Sequence, residues 1–359
     1  MTGRSKNLEE ALKDLKLDAL FITKYENQRY LEGFTGRDCF LLAGARNFLI
    51  ADSRYTEMAS RECAAAKVVP HRAPHPSLEE VVSHIAEESG FRWIGFEGGN
   101  ITYNQYESLS KVLGAKGVAM FPANAVLEKI RAVKGPEEIR SIEDACGVAD
   151  RALDSLLKIL KPGVSELDVK VELDYLLKRG GAEEAAFDTL VLFGAGTSQP
   201  HANSRGDIKL RQGDLILIDY GATVNGYRSD STRTFVCGRA APEQRRAYNA
   251  VKHAQAEAAA MIRPGANGRD INDRALNILK GSGFPPFEYG IGHGVGLEIH
   301  EEPFMRQNAD IILQPGMTLT VEPGTYIPGW GGIRIEDTVL VTDSGHKILT
   351  SFTKEMIEA

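Results

Sequence analysis

An internal echo restricts the fold more than any other feature of the chain. The segment KPGVSELDVKVELDYLLKRGG, beginning at Lys161, returns as RPGANGRDINDRALNILKGSG from Arg263, at a constant spacing of 102 residues. Pro162 and Pro264, Gly163 and Gly265, Asp168 and Asp270, Leu177 and Leu279, Lys178 and Lys280, and Gly181 and Gly283 coincide. Each copy reads as a Pro-Gly turn, a helix and a closing glycine. Two such units predict two αβ halves of one pseudo-symmetric domain, and a cleft between halves is a natural place for a site.

Between the copies lies LILIDYGATVNGYRSDSTRTF, Leu215 to Phe235. Asn225-Gly226 is the signature of a two-residue type I′ hairpin. That turn fixes the register: Asp219 stands opposite Thr232, and Gly221 opposite Asp230. Both acids then share one face, one diagonal step apart. Two carboxylates facing each other beside a core repel unless a proton or a cation is shared.

Further along, GIGHGVGLEIHEE carries His293 and His300, LTVEPGTY carries Glu322, and GGIRIEDTVLV carries Glu336. Each acid interrupts an aliphatic strand. Four carboxylates carry a charge that two divalent cations would neutralise, and a carboxylate can bridge metals about 3.5–4 Å apart. Oxygen donors with one imidazole and no thiolate suit manganese or cobalt better than a structural zinc, although zinc also binds such donors. Arg334 lies two residues before Glu336, so on a strand both point to one face, where the guanidinium can orient a ligand carboxylate or bind substrate.

A chain of 359 residues exceeds a typical single domain, so two are expected. Leu8, Leu12 and Leu15 recur at helical spacing, and Ala19–Ile22 reads as a buried strand. Strand signals follow at 39–42, 48–51 and 93–96, with a helical pattern over 77–88. An amino-terminal α/β domain over 1–125 and a catalytic domain over 126–359 result. Pro136 with Glu137 and Glu138 starts a long helix. Its expected inner face is Ile139, Ile142, Ala149, Leu153, Leu156 and Leu160. The formal charge of -7 and the lack of a dense Lys/Arg run exclude a nucleic-acid binder. No stretch approaches the roughly 20 apolar residues of a membrane span, and the first residues turn charged too early for a signal peptide. A cytoplasmic protein is expected. Cys39, Cys63, Cys146 and Cys237 form no CxxC pair and are expected as buried thiols.

Together, IDYGATVNGYRSDSTRTF, GHGVGLEIHEEP, VEPGTY and GGIRIEDTVLV resemble the pita-bread metallopeptidases, in particular the Xaa-Pro branch of prolidase and aminopeptidase P. The resemblance extends to YLEGFTG and ADSRYTE near the amino terminus. It implies an α/β (α+β) chain with a creatinase/prolidase-like amino-terminal domain before a pita-bread catalytic domain. It makes Asp219, Asp230, His293, Glu322 and Glu336 the ligands of a dinuclear site, with Asp230 and Glu336 bridging. His201 and His300 fall on the substrate side, against the scissile carbonyl. The implied partners are a small peptide with proline in second position and a second copy in a homodimer.

The reaction implied is metal-assisted hydrolysis of the bond before proline, with Glu322 taking the proton of the attacking water. Proline's tertiary amide and fixed φ defeat peptidases that grip an extended backbone. Dipeptidase action is favoured over aminopeptidase action because the chain is short. Methionine aminopeptidases share the ligands but usually lack the first domain. Creatinase-like hydrolases and non-catalytic pita-bread binding modules lose ligands that are all present here.

Overall fold

The echo in the sequence is an echo in space. The computed structural model describes residues 3–63 and 65–359, and in it the two copies form helices Glu166–Arg179 and Gly268–Gly281, with start and end both 102 residues apart. Ser165 caps the first helix by accepting from Asp168 N at 3.1 Å, and Asn267 caps the second by accepting from Arg269 N at 2.9 Å. Such caps satisfy amides that the first turn leaves orphaned. Gly163 (φ 97°) and Gly265 (φ 80°) enter the turns in the left-handed region, which side chains disfavour.

Two compact units make up the chain, Met1–Arg131 and Ala132–Ala359. In the second, each half packs two helices on a sheet. Val148, Leu153, Leu173 and Leu177 cover Ile216, Ile218 and Phe235 in the first half. Tyr248, Val251, Ile271 and Leu279 cover Leu319, Val321 and Val339 in the second. Each fully buried aliphatic side chain contributes roughly 1.5–3 kcal/mol relative to exposure.

The hairpins carry the same symmetry with one difference. In the first half a single register runs from Leu215–Val236 to Val224–Tyr227, and Asp219 pairs with Thr232. Asn225 (φ 51°) and Gly226 (φ 80°) are both left-handed, as a type I′ turn requires. At Gly221 a Cβ would stand 2.0 Å from the Ser229 carbonyl oxygen, so only glycine fits there. In the second half the register runs from Thr318–Leu340 to Ile327–Gly331 around a three-residue turn. Counterparts are therefore 103 residues apart on the first strands, as Asp219 and Glu322 are, and 104 apart on the second, as Asp230 and Arg334 are.

The first unit is a six-stranded sheet in the order Lys67–His71, Phe48–Asp52, Cys39–Gly44, Ala19–Ile22, Trp93–Phe96, Ala119–Pro122. The two outer strands were not foreseen in the sequence. Ala19–Ile22 runs antiparallel to Cys39–Gly44 and parallel to Trp93–Phe96. Helices Leu78–Ser89 and Tyr103–Gly114 begin in capping boxes at Ser77 and Thr102. Leu8 and Leu12 are buried, whereas Leu15, at the end of its helix, is exposed.

Two expectations for the long helix need correction. It runs from Pro136 to Leu156, and a 3-10 turn over Leu157–Ile159 precedes Leu160, which is buried but outside the helix. Ile139, in its first turn, is only half-buried. All four cysteines are buried free thiols.

Candidate active site

A cavity of about 480 Å³ opens in the second unit, and every residue singled out from the sequence lines it: Asp219, Asp230, His293, Glu322, Glu336, His201, His300 and Arg334. The central strands of the two hairpins bring the acids together. Asp219 is the penultimate residue of strand Leu215–Tyr220 in one hairpin, and Glu322 follows the matching strand Thr318–Val321 of the other.

Asp230, His293 and Glu336 are all buried, and one ligand atom of each lies within 4.8 Å of the others. His293 Nε2 is 3.5 Å from Asp230 Oδ2 and 3.3 Å from Glu322 Oε1. Its Nδ1 faces the Gly294 carbonyl oxygen at 3.1 Å. A proton on Nδ1 directed there leaves the Nε2 lone pair aimed at the cluster, the tautomer a metal ligand needs. Glu322 Oε1 also accepts from Thr320 Oγ1 at 3.1 Å.

Arg334 and Thr232 brace the acids from the side. Arg334 pairs with Asp219, donates from Nε to Thr232 Oγ1 at 2.8 Å and from Nη1 to Tyr326 OH at 2.7 Å. Thr232 Oγ1 in turn donates to Glu336 Oε2 at 2.6 Å. One hydroxyl thus links the cation of the site to one of its anions. Two further threonines clamp the strands symmetrically. Thr338 Oγ1 donates to Asp230 O at 2.8 Å, and its counterpart Thr234 Oγ1 donates to Arg334 O at 2.9 Å.

Electrostatics mark the cluster as short of positive charge. Burial first, and then the charges of Glu336, Asp219 and Glu322, push the Asp230 carboxyl well above the ordinary range. Burial and the charges of Glu322 and Asp219 do the same to Glu336. Asp219 is also raised, chiefly by burial, against the pull of Arg334. Glu322 moves the other way: burial opposes its charge, but the bond and charge of His293 outweigh it and hold it low. Buried, mutually repelling carboxylates of this kind are stabilised by cations. Asp219 Oδ1 is buried without a hydrogen-bond partner. Four carboxylates and one imidazole with oxygen left to donate fit divalent cations.

Much of the remaining wall is apolar and aromatic, with Phe187, Leu190, Phe287, Ile299, Phe304 and Tyr326, and Asp188, Thr189, Asn203 and Ser204 also line it. His201 lies edge-on to Phe287, with ring centroids 6.4 Å apart, and the His300 ring is 4.3 Å from that of His293. Arg306 also lines the cavity, its guanidinium 5.0 Å from the Phe304 ring centroid, and among the described residues no carboxylate lies in ion-pair range of it. Thr232, Thr320, Tyr326 and Arg306 were not foreseen. The threonines look like ordinary strand residues, and nothing local to Arg306 marks it as lining the cavity.

Comparison with known proteins agrees over the whole chain. Residues 140–343 match Metallopeptidase family M24, and residues 4–133 match the Creatinase/Prolidase N-terminal domain. The Xaa-Pro dipeptidase of Pyrococcus horikoshii is 33% identical over 358 residues, 99% of each chain. Among solved structures, an Xaa-Pro dipeptidase from Bacillus anthracis superposes with a TM-score of 0.94 at 33% identity, and an X-Pro aminopeptidase from Thermotoga maritima with 0.90 at 28%, both over 99% of each chain.

Proposed function

The chain belongs to metallopeptidase family M24, and from that premise we propose that it is an Xaa-Pro dipeptidase, hydrolysing the bond that precedes the proline of a dipeptide. The observation that carries this reading is the buried Asp230–His293–Glu336 cluster on the floor of a cavity that also holds Asp219, Glu322, His201 and His300.

In this reading Asp219, Asp230, His293, Glu322 and Glu336 would hold two divalent cations. When bound, such a pair lowers the pKa of water enough to supply hydroxide near neutral pH. Manganese or cobalt suits the oxygen-rich donor set, and zinc can substitute. Glu322 accepts the proton of the attacking water. His201 and His300 donate to the carbonyl oxygen as it gains charge, and His300 or Glu322 delivers a proton to the departing proline nitrogen. Arg334, fixed by Tyr326 and Thr232, keeps Asp219 aimed inward and shapes the substrate wall.

Arg306 supports dipeptidase over aminopeptidase action. A dipeptide ends in a carboxylate directly after proline, and a guanidinium with no anion of its own in the same cavity is suited to receive it. Four buried free thiols fit a reducing, cytoplasmic setting, and no described helix is long and apolar enough to cross a membrane. A homodimer completes the proposal.

The test uses metal-stripped protein reconstituted with Mn²⁺, Co²⁺ or Zn²⁺ and assayed on an Xaa-Pro dipeptide and an Xaa-Pro-Xaa tripeptide. Metal-restored cleavage of the dipeptide alone is expected. Efficient cleavage of the tripeptide makes the protein an aminopeptidase, and silence on both removes the peptidase reading. Arg306→Gln should raise KM for the dipeptide roughly 10- to 100-fold, the worth of a charge-assisted hydrogen bond, with kcat little changed.

A further inference from the structure

His300 is set against the scissile carbonyl in the proposed reading, yet its ring is exposed and no described group hydrogen-bonds it. Its place is therefore decided by the backbone that carries it. That backbone ends the loop 295–300, which joins the antiparallel strands Gly292–Gly294 and Glu301–Met305. The loop closes around the side chain of Glu301, the residue after His300. Glu301 Oε2 accepts from Glu298 N at 3.3 Å, and a Cβ on Gly296 would stand 2.3 Å from Oε1. The same Oε1 meets Lys134 Nζ at 2.8 Å, and the Lys134 and Glu301 side chains are 1% and 3% exposed.

Lys134 is tied to the stretch that also holds the start of the loop. Its backbone N donates to Gly316 O at 2.9 Å, and beside it Val133 bridges to Met317. Thr318 Oγ1, one residue further on, donates to Val295 O at 2.6 Å. Both ends of the loop are thus held against 316–318. A pair buried this deeply is a weak source of stability, because desolvating the two charges offsets most of their attraction. What it supplies is direction: with Oε1 fixed by the lysine, Oε2 meets one amide of the loop.

We infer that Lys134 and Glu301 are positioning residues, which hold the loop 295–300 so that His300 reaches the substrate carbonyl. This rests on the proposed role of His300 and adds to it what places the ring. A displacement of about 1 Å in a reacting group can cost on the order of 100-fold in rate, so the pair should matter more to turnover than to folding.

The experiment is a double-mutant cycle on the full-length protein loaded with Mn²⁺ and assayed on an Xaa-Pro dipeptide. Lys134→Met keeps the length of the stem and removes the cation, and should lower kcat roughly 10- to 100-fold with KM and metal content little changed. In a His300→Ala background the same substitution should cost no further rate, since there is no ring left to place. Glu301→Gln reaches the pair from the other side while keeping an oxygen for Glu298 N, and should show the same loss and the same dependence on His300. Hydrogen exchange supplies a readout apart from activity. With or without added Mn²⁺, both variants should speed exchange over 295–300 and leave helix Gly268–Gly281 unchanged. Equal costs with and without His300, or wild-type kcat in both variants, overturn the positioning role. Unchanged exchange over 295–300 overturns the anchoring. A wild type silent on the dipeptide is the failure of the peptidase reading instead, and exchange then decides the anchoring alone.

Discussion

The two halves of the catalytic unit are built on one plan and used for different ends. Where the plan needs a backbone feature, both keep the same residue. Gly163 and Gly265 open the turns, Gly221 and Gly324 stand at the hairpin crossing, and Thr234 and Thr338 clamp the opposite strand by matching bonds. Where the plan meets the cavity, the halves diverge. Asp219 faces its counterpart Glu322 with the same charge, but Asp230 corresponds to Arg334, Thr232 to Glu336, and Arg233 to Asp337. A literal second copy would have no Arg334 to offset its acids. The difference teaches that symmetry here is a scaffold property, and that the site arises where symmetry is broken.

Making one half more like the other should therefore be most damaging at the site. Glu336→Thr, which installs the first half's residue, should remove metal-dependent peptidase activity by more than the roughly 10- to 100-fold that loss of an outer contact costs. Metal content per chain, measured beside activity, separates lost binding from lost chemistry. A variant with wild-type metal content and turnover would end the claim that Glu336 is a ligand.

Next in size is the ion pair between counterparts. Arg233 and Asp337 meet at 2.8 Å with side chains 1% and 0% exposed. Arg233→Met strands a buried carboxylate and should cost about 3–5 kcal/mol in denaturant unfolding, towards the lower end because Lys354 still contacts Asp337 at 2.6 Å.

The repulsion within the cluster can be read by pH in metal-free protein. The Asp230 carboxyl, raised by burial and then by its acidic neighbours, favours folding while protonated. That contribution is full below its unfolded pKa, near 4, and is lost as pH rises through the higher folded value. Metal-free Asp230→Asn should therefore gain melting temperature relative to metal-free wild type as pH rises from about 4 to neutral, and added metal should reverse the order. A gap that stays constant with pH would mean the acids do not strain the apo fold.

The finest comparison pits Thr234→Val against Thr338→Val. Each removes one buried clamp, and each should cost about 1–3 kcal/mol. Near-equal losses sharpen the equivalence of the halves, whereas clearly unequal ones break it.

What the sequence disclosed follows from how local each signal is. Asn225-Gly226 specifies its turn within two residues, so the register of Asp219 and Asp230 could be read directly, and the strands pair as that turn dictates. The echo gave both helices because proline, glycine and cap residues act within one turn. The second hairpin was harder. One residue gained ahead of its first strand moves the spacing to 103 and its three-residue turn moves it to 104, so a search at a single spacing finds the helices and misses the strands. Thr232, Tyr326 and Arg306 matter only through residues about 100, 8 and many more positions away in contact or charge, and no local rule exposes such a meeting. Ile139 was misplaced because periodicity assigns a face to a helix end that the neighbouring elements do not reach.

The spacing between counterparts, which grows from 102 in the helices to 103 and then 104 across the hairpins, also bears on how such a chain can change in length. Each added residue sits in a connection, and none sits inside a strand. Inside Leu215–Tyr220 one extra residue ahead of Asp219 would turn every following side chain of the strand to the opposite surface, sending Asp219 into the hydrophobic layer and its aliphatic neighbours into the cavity. Growth and loss of residues are thus confined to the turns, and the three-residue turn at 328–330 is the place where this protein should tolerate a further insertion.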